Sequence, residues 1–293
     1  MSLHHSSQRT AFAVVTAVFF MWGFITVLND VLVPHLKSLF ELDYTRVMLI
    51  QFCFFGAYFL MSLPSGRVVS SLGYKRGIII GLCVAGLGAL LFYPAAALQS
   101  YGVFLTALFV LASGITLLQV AANPYVSLLG PERTASSRLN LSQALNSLGT
   151  AAAGKVGGFF ILSTTVLGAV ELAKLDAPAQ AAYRAQQAHA VQGPYLIIAA
   201  ILFVLALVVY LFHLPELAGQ EGQAAVQHPL RETLRHPQLL FGIAAVFLYV
   251  GAEVSIGSFM INYVSSADIG NMPQSQAANY VTYYWSGAMV GRF

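Results

Sequence analysis

Four groups of polar side chains interrupt otherwise apolar runs in this chain: Asn29-Asp30, Gln119 with Asn123-Pro124, Asn140 with Gln143 and Asn146-Ser147, and the isolated charges Lys155 and Glu253. A charge at depth in a membrane costs roughly 2.5–3.5 kcal/mol on insertion scales, so each group implies a cavity, a partner or a function. A carboxyl such as Asp30 can take a proton from one side and release it to the other, which is what proton coupling requires. The same residue would also suit an interfacial position near a helix end. Gln119 and Asn123 are four apart and share a helix face. Pro124 lacks a backbone donor and frees a carbonyl one turn earlier. Amides donate and accept, which suits a neutral polyol such as a sugar. Hydrogen bonding between helices would use the same groups. Gln143 and Asn146 continue a three-residue stripe and reach deeper than Asn140, which sits at a helix start. Lys155 and Glu253 are both near mid-span; they could neutralise each other, face water separately, or meet partners elsewhere. Trp22, Thr26 and Asn29 lie on one stripe, where an aromatic face could rest against sugar C–H groups. Tyr283, Tyr284 and Trp285 better suit a membrane interface, where aromatic residues concentrate.

The elements that must position these residues are long and apolar. Charged residues make up only 9% of the chain and apolar ones 58%, with a mean hydropathy of +0.73. A soluble domain typically carries about 25% charged residues, and so little charge could not cover a soluble surface of this size. Lipid removes that need. About 20 apolar residues span a bilayer as a helix. Such runs occur at Ala11–Pro34, Val47–Ser71, Gly77–Leu98, Tyr101–Leu129, Leu139–Gly168, Pro194–Leu214 and Gln238–Val264, and an eighth begins near Ala278. The run after Met1–Thr10 reads as a first membrane helix and not as a removed signal. The loops 169–193 and 215–237 are polar and show no apolar periodicity. Lys and Arg crowd the loops that would be cytoplasmic with the N-terminus inside: Arg9, Arg67, Lys75, Arg76, Arg133, Arg138, Arg231 and Arg235, against Lys37, Arg46, Lys174 and Arg184 outside.

Six helices, a cytoplasmic loop and further helices predict an all-α, two-lobed membrane bundle of the secondary-transporter kind. The expected division is a six-helix lobe at 1–214, a linker at 215–237 and the start of a second lobe at 238–293. Gly291-Arg292-Phe293 reads as the lead into a further loop, so the chain is expected to be a fragment of a longer protein. Gly77 and Gly81, and Ala153 with Gly157 and Gly158, are small residues at spacings that let helices approach closely. Cys53 and Cys83 sit inside apolar runs and read as buried thiols rather than a disulfide. The histidines (His4, His5, His35, His189, His213, His228 and His236) form no metal-binding pair with a carboxylate. There is no phosphate-binding glycine loop and no nucleophile constellation, and the net charge of +3 gives no reason to expect nucleic acid. An enzyme is therefore not expected, nor is a metal or cofactor.

Several stretches carry a resemblance to a known family: Phe19-Phe20-Met21-Trp22-Gly23-Phe24 with Leu28-Asn29-Asp30; Leu118-Gln119-Val120-Ala121-Ala122-Asn123-Pro124-Tyr125; Arg138-Leu139-Asn140-Leu141 with Gln143 and Asn146; 249–259 around Glu253; and 283–289. In these the chain resembles the L-fucose–proton symporter family of the major facilitator superfamily, and within it the bacterial glucose/galactose transporters. The resemblance implies a monomeric hexose transporter of the inner membrane, working by alternating access with the proton as coupling ion. It implies that Asp30 is the proton-linked aspartate, and that Gln119, Asn123, Gln143 and Asn146 bind sugar, with Trp22 and Asn29 beside them. Where fucose symporters have a glutamate, this chain has Gln119, which can bond hydroxyls but cannot carry a proton. That places coupling on Asp30 and makes glucose or galactose a better candidate than L-fucose. The alternatives are an uncoupled facilitator, a membrane protein that binds or senses sugar without transporting it, and an inert truncated product. The stretch from Gly66-Arg67 to Gly73-Tyr74-Lys75-Arg76 resembles the superfamily's cytoplasmic loop but lacks its acidic residue. Lys155 has no counterpart in the family.

Overall fold

The computed structural model describes residues 2–40, 42–160, 174–212, 232 and 234–291. The described helices are α1 (Ser2–Leu39), α2 (Tyr44–Leu72), α3 (Tyr74–Ala97), α4 (Tyr101–Leu128), α5 (Ala135–Phe160), α6 (Ala177–Leu211), α7 (Pro237–Ser265) and α8 (Gln274–Val290), with one 3-10 turn at Glu132–Thr134. Their starts follow local chemistry. Asp43 caps α2 by accepting from the Arg46 backbone N–H at 2.7 Å, and Asp176 caps α6 by accepting from that of Ala179 at 3.0 Å. Each satisfies one of the free donors at a helix start. Gly73 has φ of 81°, a left-handed value that glycine adopts at no steric cost, and it turns the chain between α2 and α3.

Six helices are long and apolar enough to cross a membrane: α1, α2, α3, α4, α6 and α7. Among the described residues α5 and α8 are not in that set. α5 carries the amide-rich stripe that lowers its hydropathy, and α8 has 17 residues. The fifth expected span is nevertheless a helix as far as Phe160. Its expected continuation, 161–168, lies outside the described residues, as do most of the loop 215–237 and the surroundings of Gly157 and Gly158. One expectation is corrected. The stretch 169–193, a polar loop by its composition, is helical from Ala177, where α6 starts. Its Ala/Gln-rich stretch lacks apolar periodicity but is rich in strong helix formers, and the Asp176 cap starts the helix there.

The main packing pairs are α3 with α4, α1 with α5, α3 with α6, α2 with α4, and α8 with α5. Small residues make the closest of these. A Cβ on Gly88 would collide with the Leu111 backbone, one on Gly114 with that of Ala85, and one on Gly81 would lie 3.0 Å from the Gly114 carbonyl. The α3–α4 seam is therefore a backbone-to-backbone approach, the expected way for apolar helices to associate in lipid. Phe92 of α3 stacks on Tyr195 of α6 at 3.8 Å between centroids. Lys75 at the start of α3 donates to the Tyr210 and Phe212 carbonyls at the end of α6. Arg138 of α5 donates to the Val126 and Ser127 carbonyls at the end of α4. Both cations satisfy carbonyls left over at helix C-termini.

α7 is mostly bare. Phe241 is 77% exposed, and the buried residues of this helix are Gly257, Ser258 and Ile261. Cys53 and Cys83 are free thiols and half-buried rather than fully buried.

Candidate functional site

Two polar clusters form along the α1–α2 pair. The helices run antiparallel, and their contacts keep register: Asp30 meets Gln51, while Trp22 and Thr26 meet Tyr58. At 1.5 Å per residue the two layers lie about 11 Å apart along the helices.

In the first layer, the Tyr58 phenol of α2 lies in polar interaction range of Thr26 and Trp22 of α1 and of Gln119 of α4. One turn along α4, Asn123 accepts from the Gln143 amide of α5 at 3.2 Å. Trp22, Tyr58, Gln119, Asn123 and Gln143 are each half-buried. They therefore keep both an ordered position and an open face. α1, α2, α4 and α5 thus bring an indole, a phenol and three amides into a continuous series. The chemistry on offer is many donors and acceptors beside aromatic faces with no fixed charge, which matches a neutral polyhydroxylated ligand.

In the second layer Asp30 is 7% exposed. Its Oδ1 accepts from the Gln51 amide at 3.0 Å and from the Ser258 hydroxyl of α7 at 3.0 Å. Asp30 is therefore embedded and hydrogen-bonded, not at an open interface. Among the described residues, Asn29, 1% exposed, has neither amide atom hydrogen-bonded, and Gln51 Oε1 has no partner.

The remaining expected residues lie elsewhere. Asn146 is 8% exposed and donates to the Phe19 carbonyl of α1 at 2.9 Å. Its backbone presses on Gly23, where any Cβ would collide with it. In this arrangement the Asn146 amide group joins α5 to α1 and does not face the series of open amides. Asn140 is exposed, and because α5 starts at Ala135 it lies in the second turn of the helix rather than at its start. Lys155 is exposed and Glu253 half-buried, and among the described residues no ion pair joins them. The Glu253 carbonyl accepts from the Tyr284 hydroxyl at 3.4 Å, joining α7 to α8. Trp285 lies against Gly257, so the eighth-helix aromatic group helps to seat α8 on α7. An apolar groove of about 420 Å³ between α1 and α5, lined by Phe12, Thr16, Phe20 and Leu145, contains none of these polar residues. Among the described residues no three His, Cys, Asp or Glu side chains gather as metal ligands.

Sequence reasoning missed Gln51, Tyr58 and Ser258. A signal for the first two was present, because Gln51 and Tyr58 are seven apart and so lie on one stripe of the second span. Ser258 had no signal, since a serine in an apolar helix usually bonds its own backbone.

Comparison with known proteins gives a consistent result. The Major Facilitator Superfamily profile matches residues 10–293. The glucose/galactose transporter of Brucella abortus is 49% identical over 98% of this chain and 67% of its own length. The L-fucose-proton symporter of Escherichia coli is 37% identical over 96% of this chain and 65% of its own. A crystal structure of the transporter FucP in the outward conformation superposes with a TM-score of 0.81 at 36% identity, covering 98% of this chain and 70% of that one. The chain thus spans about two thirds of the length of these relatives.

Proposed function

From the premise that this chain belongs to the Major Facilitator Superfamily, we propose that it moves a hexose of the glucose/galactose type across a membrane by alternating access, in symport with protons. It is a multi-pass membrane transporter protein and not an enzyme. The observation that carries the sugar assignment is the neutral series Trp22, Tyr58, Gln119, Asn123 and Gln143 drawn from four helices. Sugar hydroxyls would replace the Gln143–Asn123 bond and engage Gln119, with Trp22 and Tyr58 against the ring. Asn146 and Asn29 would support that site from the α1–α5 contact and the Asp30 layer. Relatives named as glucose/galactose transporters support a hexose.

Asp30 is the proposed proton carrier. It is the ionisable side chain buried beside the amide series, and Gln119 cannot take its place. The resemblance to L-fucose-proton symporters supports coupling. The cellular setting proposed is the bacterial inner membrane, with the N-terminus cytoplasmic and the protein a monomer. The proposed organisation is a lobe at 1–214, a linker at 215–237 and the start of a second lobe at 238–293. Facilitated diffusion is the competing reading, favoured by the amide at 119.

The test is the Asp30→Asn variant reconstituted in vesicles with D-glucose or D-galactose. Sugar-driven proton uptake is expected to vanish while sugar exchange persists. Unchanged proton uptake would remove Asp30 from the mechanism, and wild-type uptake insensitive to a protonophore would establish the facilitator.

A further inference from the structure

Among the described residues, side-chain hydrogen bonds that join α7 and α8 to the preceding helices include Ser258 to Asp30 and Thr282 to the Ala151 carbonyl. Of these two, only the first ends on an ionisable group. It also sits in the small buried patch of α7, Gly257, Ser258 and Ile261, while the 18-residue window that makes α7 a membrane span has no buried residue.

We infer that Ser258 is a positioning residue that makes the α1–α7 contact depend on the protonation state of Asp30. The inference rests on Asp30 being the proton carrier. When Asp30 is ionised, Ser258 and Gln51 both donate to Oδ1, and hydrogen bonds to a charged acceptor are roughly twice as strong as neutral ones. When a proton binds the carboxyl, the charge is lost and the acceptor weakens, so α7 is released from α1. The proton comes from water on one side and returns to water on the other, and no other bond changes. Gln51 stays with Asp30 within the α1–α2 hairpin, so the weakened link that matters is the one to α7.

Other groups that could bias Asp30 are few. The Tyr58 phenol of α2 is in electrostatic contact with it. Glu253 of α7 lies five positions before Ser258 and interacts with Tyr284 of α8, while Lys155 of α5 is exposed.

The test measures protons and labelled D-galactose entering vesicles that contain the wild type, Ser258→Ala, Ser258→Thr or Asp30→Asn. Ser258→Ala is expected to keep sugar counterflow within about twofold and to lower the number of protons moved per sugar about threefold or more, because the contact that reports the charge on Asp30 to α7 loses its donor. Ser258→Thr keeps the hydroxyl and is expected to restore the ratio. A wild-type ratio in Ser258→Ala, or a loss that threonine does not rescue, overturns the inference. Should Ser258→Ala lack counterflow, Ser258→Cys, a weak donor of nearly the same shape, carries the same expectation. If Asp30→Asn alone abolishes proton movement, Asp30 stands and Ser258 is judged by itself. If Asp30→Asn keeps proton movement, the coupling assignment fails first and this inference falls with it.

Discussion

The two polar layers on α1 and α2 share a helix pair and differ in charge and in reach. The Tyr58 layer is built of neutral groups and stays within α1, α2, α4 and α5. The Asp30 layer holds one ionisable group and extends to α7. Neutral amides can exchange partners with a ligand at nearly constant energy, because each bond lost is replaced by one of similar strength. A carboxylate changes the strength of its bonds when it takes a proton. The first layer is thus suited to binding, and the second to reporting a proton to a helix outside the binding group.

The largest expected effect separates the layers outright. Asp30→Asn should reduce sugar-driven proton uptake to background, while sugar affinity stays within about threefold, since the amide series is untouched. Equal losses in affinity and coupling would merge the two layers into one site. Gln119→Glu sharpens the contrast from the other side, because it puts a second ionisable group into the neutral layer. Transport that depends little on pH through this layer in the wild type should become strongly pH-dependent in the variant. The check is the apparent KM for galactose across a pH series.

A smaller effect is expected within the binding layer. Gln119→Leu should raise the sugar KM about tenfold, the size expected when a ligand hydroxyl loses a hydrogen-bond partner. Gln143→Ala and Asn123→Ala should each raise it several-fold, and the double variant should raise it by less than their product. Their amides are bonded to each other, and residues in one network are not additive. Additive losses would mean that the two bind sugar independently.

The contrast between layers also explains what the sequence made legible. Helix existence and approximate bounds were readable, because a membrane span needs a long apolar run whatever surrounds it. The α6 start was not, because composition around Ala177 reads as a polar linker and only the Asp176 cap marks the turn into helix. Asp30, Gln119, Asn123 and Gln143 were readable, since a polar residue in an apolar run is visible without coordinates. Tyr58 and Ser258 were not. Tyrosine and serine are ordinary in apolar helices, and which of them faces a carboxyl or an amide depends on which helices are neighbours. Which of the three readings of Lys155 and Glu253 applies was not readable for the same reason, and among the described residues no ion pair joins them. Depth along a helix is readable from sequence, but direction around it depends on partners.

Asn146 gives the smallest expected effect and the sharpest separation between position and role. It falls on the same stripe as Gln143, so spacing alone assigns both to the cavity. In the structure its amide donates to the Phe19 carbonyl at a point where Gly23 lets α5 and α1 meet backbone to backbone. That carbonyl lies in α1, and the bond braces the helix that carries Trp22 and Asp30. Asn146→Ala should therefore lower thermal stability in detergent by about 1 kcal/mol, the usual net value of one hydrogen bond. Because the bond is not part of the amide series, sugar KM should change less than about threefold. Asn146→Ser, which keeps a shorter donor, should recover part of the stability. A large rise in KM with unchanged stability would move Asn146 out of the brace and into the binding layer, and would show that the α1–α5 contact opens when sugar binds.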